Sequence, residues 1–180
     1  MIDAKGFRRG VGIIIVNDHN QLFWAKRVGN NGWQFPQGGM KEGETPLECM
    51  YRELEEEVGL CADDVEILAE SQGWLYYYLP KKMIRYHIKP LCIGQKQKWF
   101  LLRLRTSETN FNFQQTDSPE FEGYQWVNYW QPLRKVIFFK RQLYRRALKE
   151  FAPIVLDQPY RAFRDRYNAK SFKKHCSRSQ

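Results

Sequence analysis

The chain has 180 residues, 43% hydrophobic and 16% aromatic, with 29 Lys and Arg against 20 Asp and Glu for a formal net charge of +9. That supplies the core of one self-supporting domain, and the basic excess favours an anionic partner such as nucleic acid, nucleotide or membrane headgroups. No stretch approaches the roughly 18 apolar residues of a membrane span, and "MIDAKGFRRGVGIIIV" lacks the shape of a secretory signal. Cys49, Cys61, Cys92 and Cys176 are scattered without a C-x-x-C pair, as expected of reduced thiols in a soluble cytoplasmic protein.

In chain order, "VGIIIV" (residues 11–16) and "LFWAKR" (residues 22–27) flank the polar cluster Asn17-Asp18-His19-Asn20, the pattern of a β-hairpin. Next comes a helix with complete punctuation, expected over residues 46–58. Thr45 is its N-cap, Pro46 its first residue, Glu48 closes a capping box, and Gly59 stands just past its end. "GWLYYYL" (residues 73–79), "WFLLRLR" (99–105) and "YQWVNY" (124–129) read as further strands, the first as a buried one. Residues 132–151 carry apolar side chains at helical spacing among basic ones, predicting a second helix. From residue 157 the periodicity fades, and the last 24 residues hold seven Lys or Arg against two Asp. The reading is therefore a mixed α/β sandwich over residues 1–156 and a basic, flexible tail over residues 157–180.

The capped helix contains "RELEEE", four glutamates in a basic protein. Taking Glu53 as zero at about 100° per residue puts Glu56 near −60° and Glu57 near +40°, on one face, and Glu55 on the far side. Leu47, Met50, Tyr51, Leu54 and Val58 form the apolar stripe about 60° to 160° round. Three carboxylates on one face repel. They suit a solvated surface, or a hard divalent cation such as Mg²⁺ or Mn²⁺ that shares its shell with substrate phosphates. The preceding "PQGGMKEGE" places Gly38, Gly39 and Gly43 where the backbone can approach a ligand closely.

Over its whole length the stretch runs Gly38, five residues, Glu44, seven residues, Arg52-Glu53-Leu54, one residue, Glu56-Glu57, one residue, Gly59-Leu60. It resembles the box of the Nudix hydrolase family at every specified position. The resemblance implies an α/β/α sandwich with a mixed sheet, divalent-cation-dependent hydrolysis of phosphoanhydride bonds, and Glu53, Glu56 and Glu57 as metal-binding and catalytic carboxylates. Arg52 would orient them and Glu44 would brace the loop. Glu53 is the first candidate for general base; Glu120, in "TDSPEFEGY", is the other and a further candidate ligand.

The flanking segments "WQFPQGG", "LPKK", "KPLCIGQKQKWFLL", "SPEFEGYQWV" and "FKRQLYRR" are similar to the bacterial RNA 5' pyrophosphohydrolases within that family, over about residues 1–153. That likeness implies conversion of a single-stranded 5'-triphosphate RNA end to a monophosphate, the opening step of 5'-end-dependent decay. It implies Arg8, Arg27 and Gln37 near the phosphates and Ile137, Phe139 and Lys140 near the second base. Ile137 stands where the subfamily leads one to expect valine, a small change in a packing wall. Two rivals remain at this point: a dinucleoside polyphosphate hydrolase using the same box, and an idle Nudix fold that binds RNA. A monomer is the default.

Overall fold

The computed structural model describes residues 2–29 and 31–156; the basic tail expected over 157–180 lies outside the described residues. Eight strands and three helices are arranged in the order β1 (Phe7–Val16), β2 (Leu22–Arg27), β3 (Trp33–Gln34), β4 (Gln37–Gly39), α1 (Pro46–Val58), β5 (Val65–Glu70), β6 (Leu75–Tyr78), β7 (Gly94–Leu104), β8 (Phe121–Val127), α2 (Pro132–Lys135) and α3 (Arg141–Leu156).

They form one mixed sheet whose spine is β3-β2-β1-β7-β5, with β4 on β1, β6 on β7 and β8 on β2. Among the described residues only β1 and β7 run parallel, through ten paired residues from Phe7↔Gly94 to Val16↔Arg103. Both of these long central strands change partner along their length. The first half of β1 pairs with β4 through Gly10 to Gly12, and its end pairs with β2 at Val16↔Leu22. In the same way β7 holds β6 at its start and β5 at its end. The sheet consequently opens at one end, and the strands that splay there carry the candidate site.

Each face of the sheet is covered. On one, Cys49, Met50, Leu54 and Val58 of α1 pack on Val11, Ile13, Ile15, Phe23, Phe100 and Leu102. On the other, Leu143, Tyr144, Ala147, Leu148 and Phe151 of α3 pack on Ile14, Trp24, Trp99 and Leu101. The alternation Val11, Ile13, Ile15 against Ile14, Val16 follows from the two-residue period of a strand whose faces are both buried. At roughly 1.5–3 kcal/mol per fully buried large apolar side chain, these two layers are the main favourable term in folding.

The helix over Pro46–Val58 matches its sequence punctuation. Thr45 accepts from the Glu48 N–H while the Glu48 carboxylate accepts from the Thr45 N–H, and Gly59 caps the other end at φ 75°, contributions of about 1 kcal/mol each. The second helix departs from expectation. The stretch 132–151 is broken: α2 stops at Lys135, Val136 and Ile137 are extended, a 3-10 turn covers Phe138–Lys140, and α3 then runs on to Leu156. An unbroken helix would lay Lys140 between Val136 and Leu143 on the apolar stripe, where its charge has no partner. The break turns it instead toward Gln34, 3.3 Å from Nζ to Oε1.

The tyrosine-rich strand is also only half buried, with Leu75 and Tyr77 inward and Tyr76 and Tyr78 outward. Strands β3, β4 and β5 carry no clean alternation and were not anticipated. Cys49 and Cys92 are free thiols. Among the described residues no helix is long and apolar enough to cross a membrane.

Candidate active site

The loop that enters α1 is shaped by what must pass close to it. At Gly38 a Cβ would lie 1.7 Å from the Glu53 carboxyl carbon, and at Gly39 one would lie 2.4 Å from Arg8 Nη2. Glycine at both positions therefore lets an acidic side chain from α1 and a basic one from β1 press against the same short strand, β4. From the far side of the sheet, α3 fixes the approach: the Tyr144 hydroxyl accepts from the Phe35 N–H at 3.2 Å, and the Phe35 ring stacks on Tyr144 at 5.0 Å.

Arg52 is the hub of the acidic cluster. Its Nε donates to Glu44 Oε1 at 2.7 Å and Nη2 to Glu44 Oε2 at 3.0 Å, a two-pronged pair. Nη1 donates to Glu53 Oε1 at 2.7 Å and Glu56 Oε2 at 2.9 Å, and Nη2 also reaches the Gly39 carbonyl at 3.0 Å. One guanidinium thus ties the loop to two carboxylates of α1. The pairing pulls the Glu44 carboxyl down to about 2 despite its partial burial.

Glu53 and Glu57 are the buried members, 9% and 5% exposed. Burial pushes the Glu53 carboxyl above its ordinary range, outweighing the Arg52 pair that lowers it, with Glu56 and Glu120 adding repulsion. Glu57 is pushed up further, first by burial and then by Glu120 and Glu53. One of its oxygens accepts from the Gln37 N–H at 2.9 Å, while Oε1 is buried without a hydrogen-bond partner. Glu56 is the exposed one, its side chain 40% accessible. The shared face read from the helical wheel is therefore unequal.

Among the described residues no three Asp, Glu, His or Cys side chains are gathered closely enough to hold a metal ion as they stand; Arg52 holds two of the candidate carboxylates. The donor set nevertheless fits a hard cation. An orphaned buried carboxylate oxygen and mutual repulsion among Glu53, Glu57 and Glu120 are costs that a divalent ion relieves.

The remaining predicted residues fall into two groups. Arg27 ends β2 opposite Phe121, next to Glu120, and its charge and that of Glu120 both reach Lys140. Lys140 is only 8% exposed and sits 5.7 Å above the Tyr77 ring; burial, then Arg27, brings its amine down to about 8. Phe139 meets the same Tyr77 ring at 5.6 Å, and Ile137 is exposed beside them. Arg8 lies apart, across the sheet, in a row with Gln95 and Tyr77, since Arg8↔Gln95 and Tyr77↔Gln95 are register pairs. Gln37 is near both groups, its Oε1 3.4 Å from Gln97 Nε2. Gln34 and Gln97 were not singled out from sequence, and Tyr77 only as one ring of the run over residues 74–82. Their signal, a polar or aromatic residue at an inward strand position, becomes visible only once the strand pairings are known.

The NUDIX domain model matches residues 6–147. The chain is 60% identical over 164 residues to the RNA pyrophosphohydrolase of Aliivibrio salmonicida, covering 91% of this chain and 96% of that one. Among solved structures, the E. coli dihydroneopterin triphosphate pyrophosphohydrolase superposes with a TM-score of 0.60 at 19% identity, over 79% of this chain and 97% of that one. A C. elegans Ap4A hydrolase binary complex gives 0.60 at 14% identity, over 84% and 99%. At those identities the two structures speak for the fold alone.

Proposed function

The chain belongs to the NUDIX family, and on that premise we propose that it removes pyrophosphate from the 5'-triphosphate end of RNA, leaving a 5'-monophosphate. The observation that carries the reading is the buried acidic cluster beside a glycine floor, Glu53 against Gly38 and Glu57 on the Gln37 N–H, in a chain that is closely similar to RNA pyrophosphohydrolases over almost its whole length.

Nudix hydrolases generally need divalent cations; here Mg²⁺, held by Glu53, Glu56, Glu57 and Glu120, would neutralise charge on the phosphates and acidify the attacking water. Glu53 is the first candidate to take the water's proton and Glu120 the other, each needing to stand within hydrogen-bond reach of that water. Arg52 keeps that carboxylate aimed. Arg8 and Arg27 bind phosphate through their planar guanidinium forks. Gln37 spends its main-chain N–H on Glu57 and its side-chain oxygen on Gln97, which leaves its amide NH₂ to donate to a phosphate. Phe139 offers the second base a stacking face and Lys140 a hydrogen-bond donor, with Ile137 as a wall. An enzyme of transcript ends works where transcripts are, so on this reading it is cytoplasmic.

The test is purified protein with Mg²⁺ and either 5'-triphosphate RNA or diadenosine tetraphosphate at matched concentration. Conversion of RNA to the 5'-monophosphate with much the larger kcat/KM is expected. RNA binding without turnover of either substrate refutes the reading.

A further inference from the structure

A cleft of about 560 Å³ opens beside Arg8, at the strand ends next to the row Arg8, Gln95, Tyr77, and is lined among others by Leu79, Met83, Ile88, Arg8, Arg85 and Gln95. Its size is that of a small-molecule site. Its walls are apolar while its polar members are two guanidinium groups and one amide, with no acid among the lining residues. Arg85 makes no ion pair among the described residues and is exposed. Apolar walls with a planar cation are the surroundings of a nucleobase, whereas a bare phosphate calls for convergent donors.

The cleft's position relative to the rest of the site identifies which base. Arg8 forms one wall of it, and the same guanidinium lies over Gly39, at the mouth of the acidic cluster. Lys140 and Phe139 stand at Tyr77, two strand spacings or about 10 Å from Arg8 along the row Arg8, Gln95, Tyr77. With phosphate at Arg8 and the second base at Lys140, the nucleoside that joins them must leave the phosphate chain beside Arg8, where this cleft begins.

Resting on the function proposed above, we infer that the cleft beside Arg8 is the subsite for the first nucleobase of the RNA, stacked on the Arg85 guanidinium against Met83 and Ile88. Arg85 then acts as a specificity residue, felt only when that base is present.

Two 5'-triphosphate oligoribonucleotides, identical except that one lacks the base at position 1, test this with wild-type protein, Arg85→Ala and Met83→Trp. The second variant fills the cleft from an exposed position. Wild type is expected to favour the complete RNA by about tenfold in kcat/KM, within the range for stacking one base. Each variant is expected to lose that factor on the complete RNA and to match wild type on the abasic one. Equal wild-type rates on both RNAs, or an Arg85→Ala loss of the same size on both, overturn the subsite and leave the enzymatic reading standing. Absence of wild-type hydrolysis on either RNA overturns the enzymatic reading itself.

Discussion

Gly38→Ala places a single methyl group where the Glu53 carboxylate now lies. The new Cβ would be 1.7 Å from the carboxyl carbon and 1.9 and 2.1 Å from its oxygens. Ordinary carbon contact begins at about 3.5 Å, so the carboxylate must retreat by about 1.8 Å. Retreat is chemically cheap for a flexible side chain and functionally costly, because it breaks the 2.7 Å bond from Arg52 Nη1. A misplacement of about 1 Å in a catalytic group costs on the order of a hundredfold, so kcat is expected to fall by at least that factor, about 2.7 kcal/mol of transition-state stabilisation. The backbone at Gly38 is not left-handed, so the stability cost is confined to the lost Arg52 pair, about 1.5–3 kcal/mol. Single-turnover rates on 5'-triphosphate RNA, with melting curves alongside, separate the two effects. Gly73→Ala is the control, since a Cβ there meets nothing within 4 Å. A stable Gly38→Ala protein with wild-type kcat would refute the placement of Glu53 at the reacting centre.

Three further outcomes are expected. Glu57→Gln removes a buried, repelled charge, so in chelator the variant should melt higher than wild type at neutral pH and yet lose turnover; adding Mg²⁺ should raise the melting temperature of wild type much more than that of the variant. Lys140 binds its proton less tightly folded, at about 8, than its ordinary value of 10.5. Between those values the unfolded chain holds more protons, so stability contributed by this group rises with pH across the window, and Lys140→Met should flatten the rise in denaturant midpoints. Glu44→Gln breaks the two-pronged Arg52 pair and should destabilise by about 1.5–3 kcal/mol, the range for hydrogen bonds to charged groups. Because the folded Glu44 carboxyl titrates at about 2 against 4.5 ordinarily, its contribution is present above pH 4.5 and is lost on acidification toward 2, so the wild-type–variant gap should close there.

Local information sufficed for α1. Its cap, capping box, apolar stripe and terminal glycine are all interactions between residues a few positions apart, and Pro46–Val58 formed as the spacing dictates. The same holds for β2 and for the catalytic box, whose residues lie on one loop and one helix. The sequence by itself also put Glu53, Glu56 and Glu57 on one face, because helical period alone decides that. It could not rank them. Which carboxylate is buried depends on β4 lying across α1, and β4 exists only because β1 offers it a partner.

The break in 132–151 was equally out of local reach. Periodicity favoured a continuous helix, and the partner that made a break worthwhile, Gln34, is 106 residues away in sequence. Tyr77 looked like one of several buried aromatics, and only the β6–β7 register separates it from its outward neighbours. The acidic cluster is written largely in contiguous residues, since Glu44, Arg52, Glu53, Glu56 and Glu57 all lie on one loop and one helix. The wider surroundings are tertiary: Arg8, Arg27, Gln37 and Lys140 come from four elements, and only the strand pairings set Arg27 near Lys140, hold Arg8 two strands away and place Gln37 between the groups.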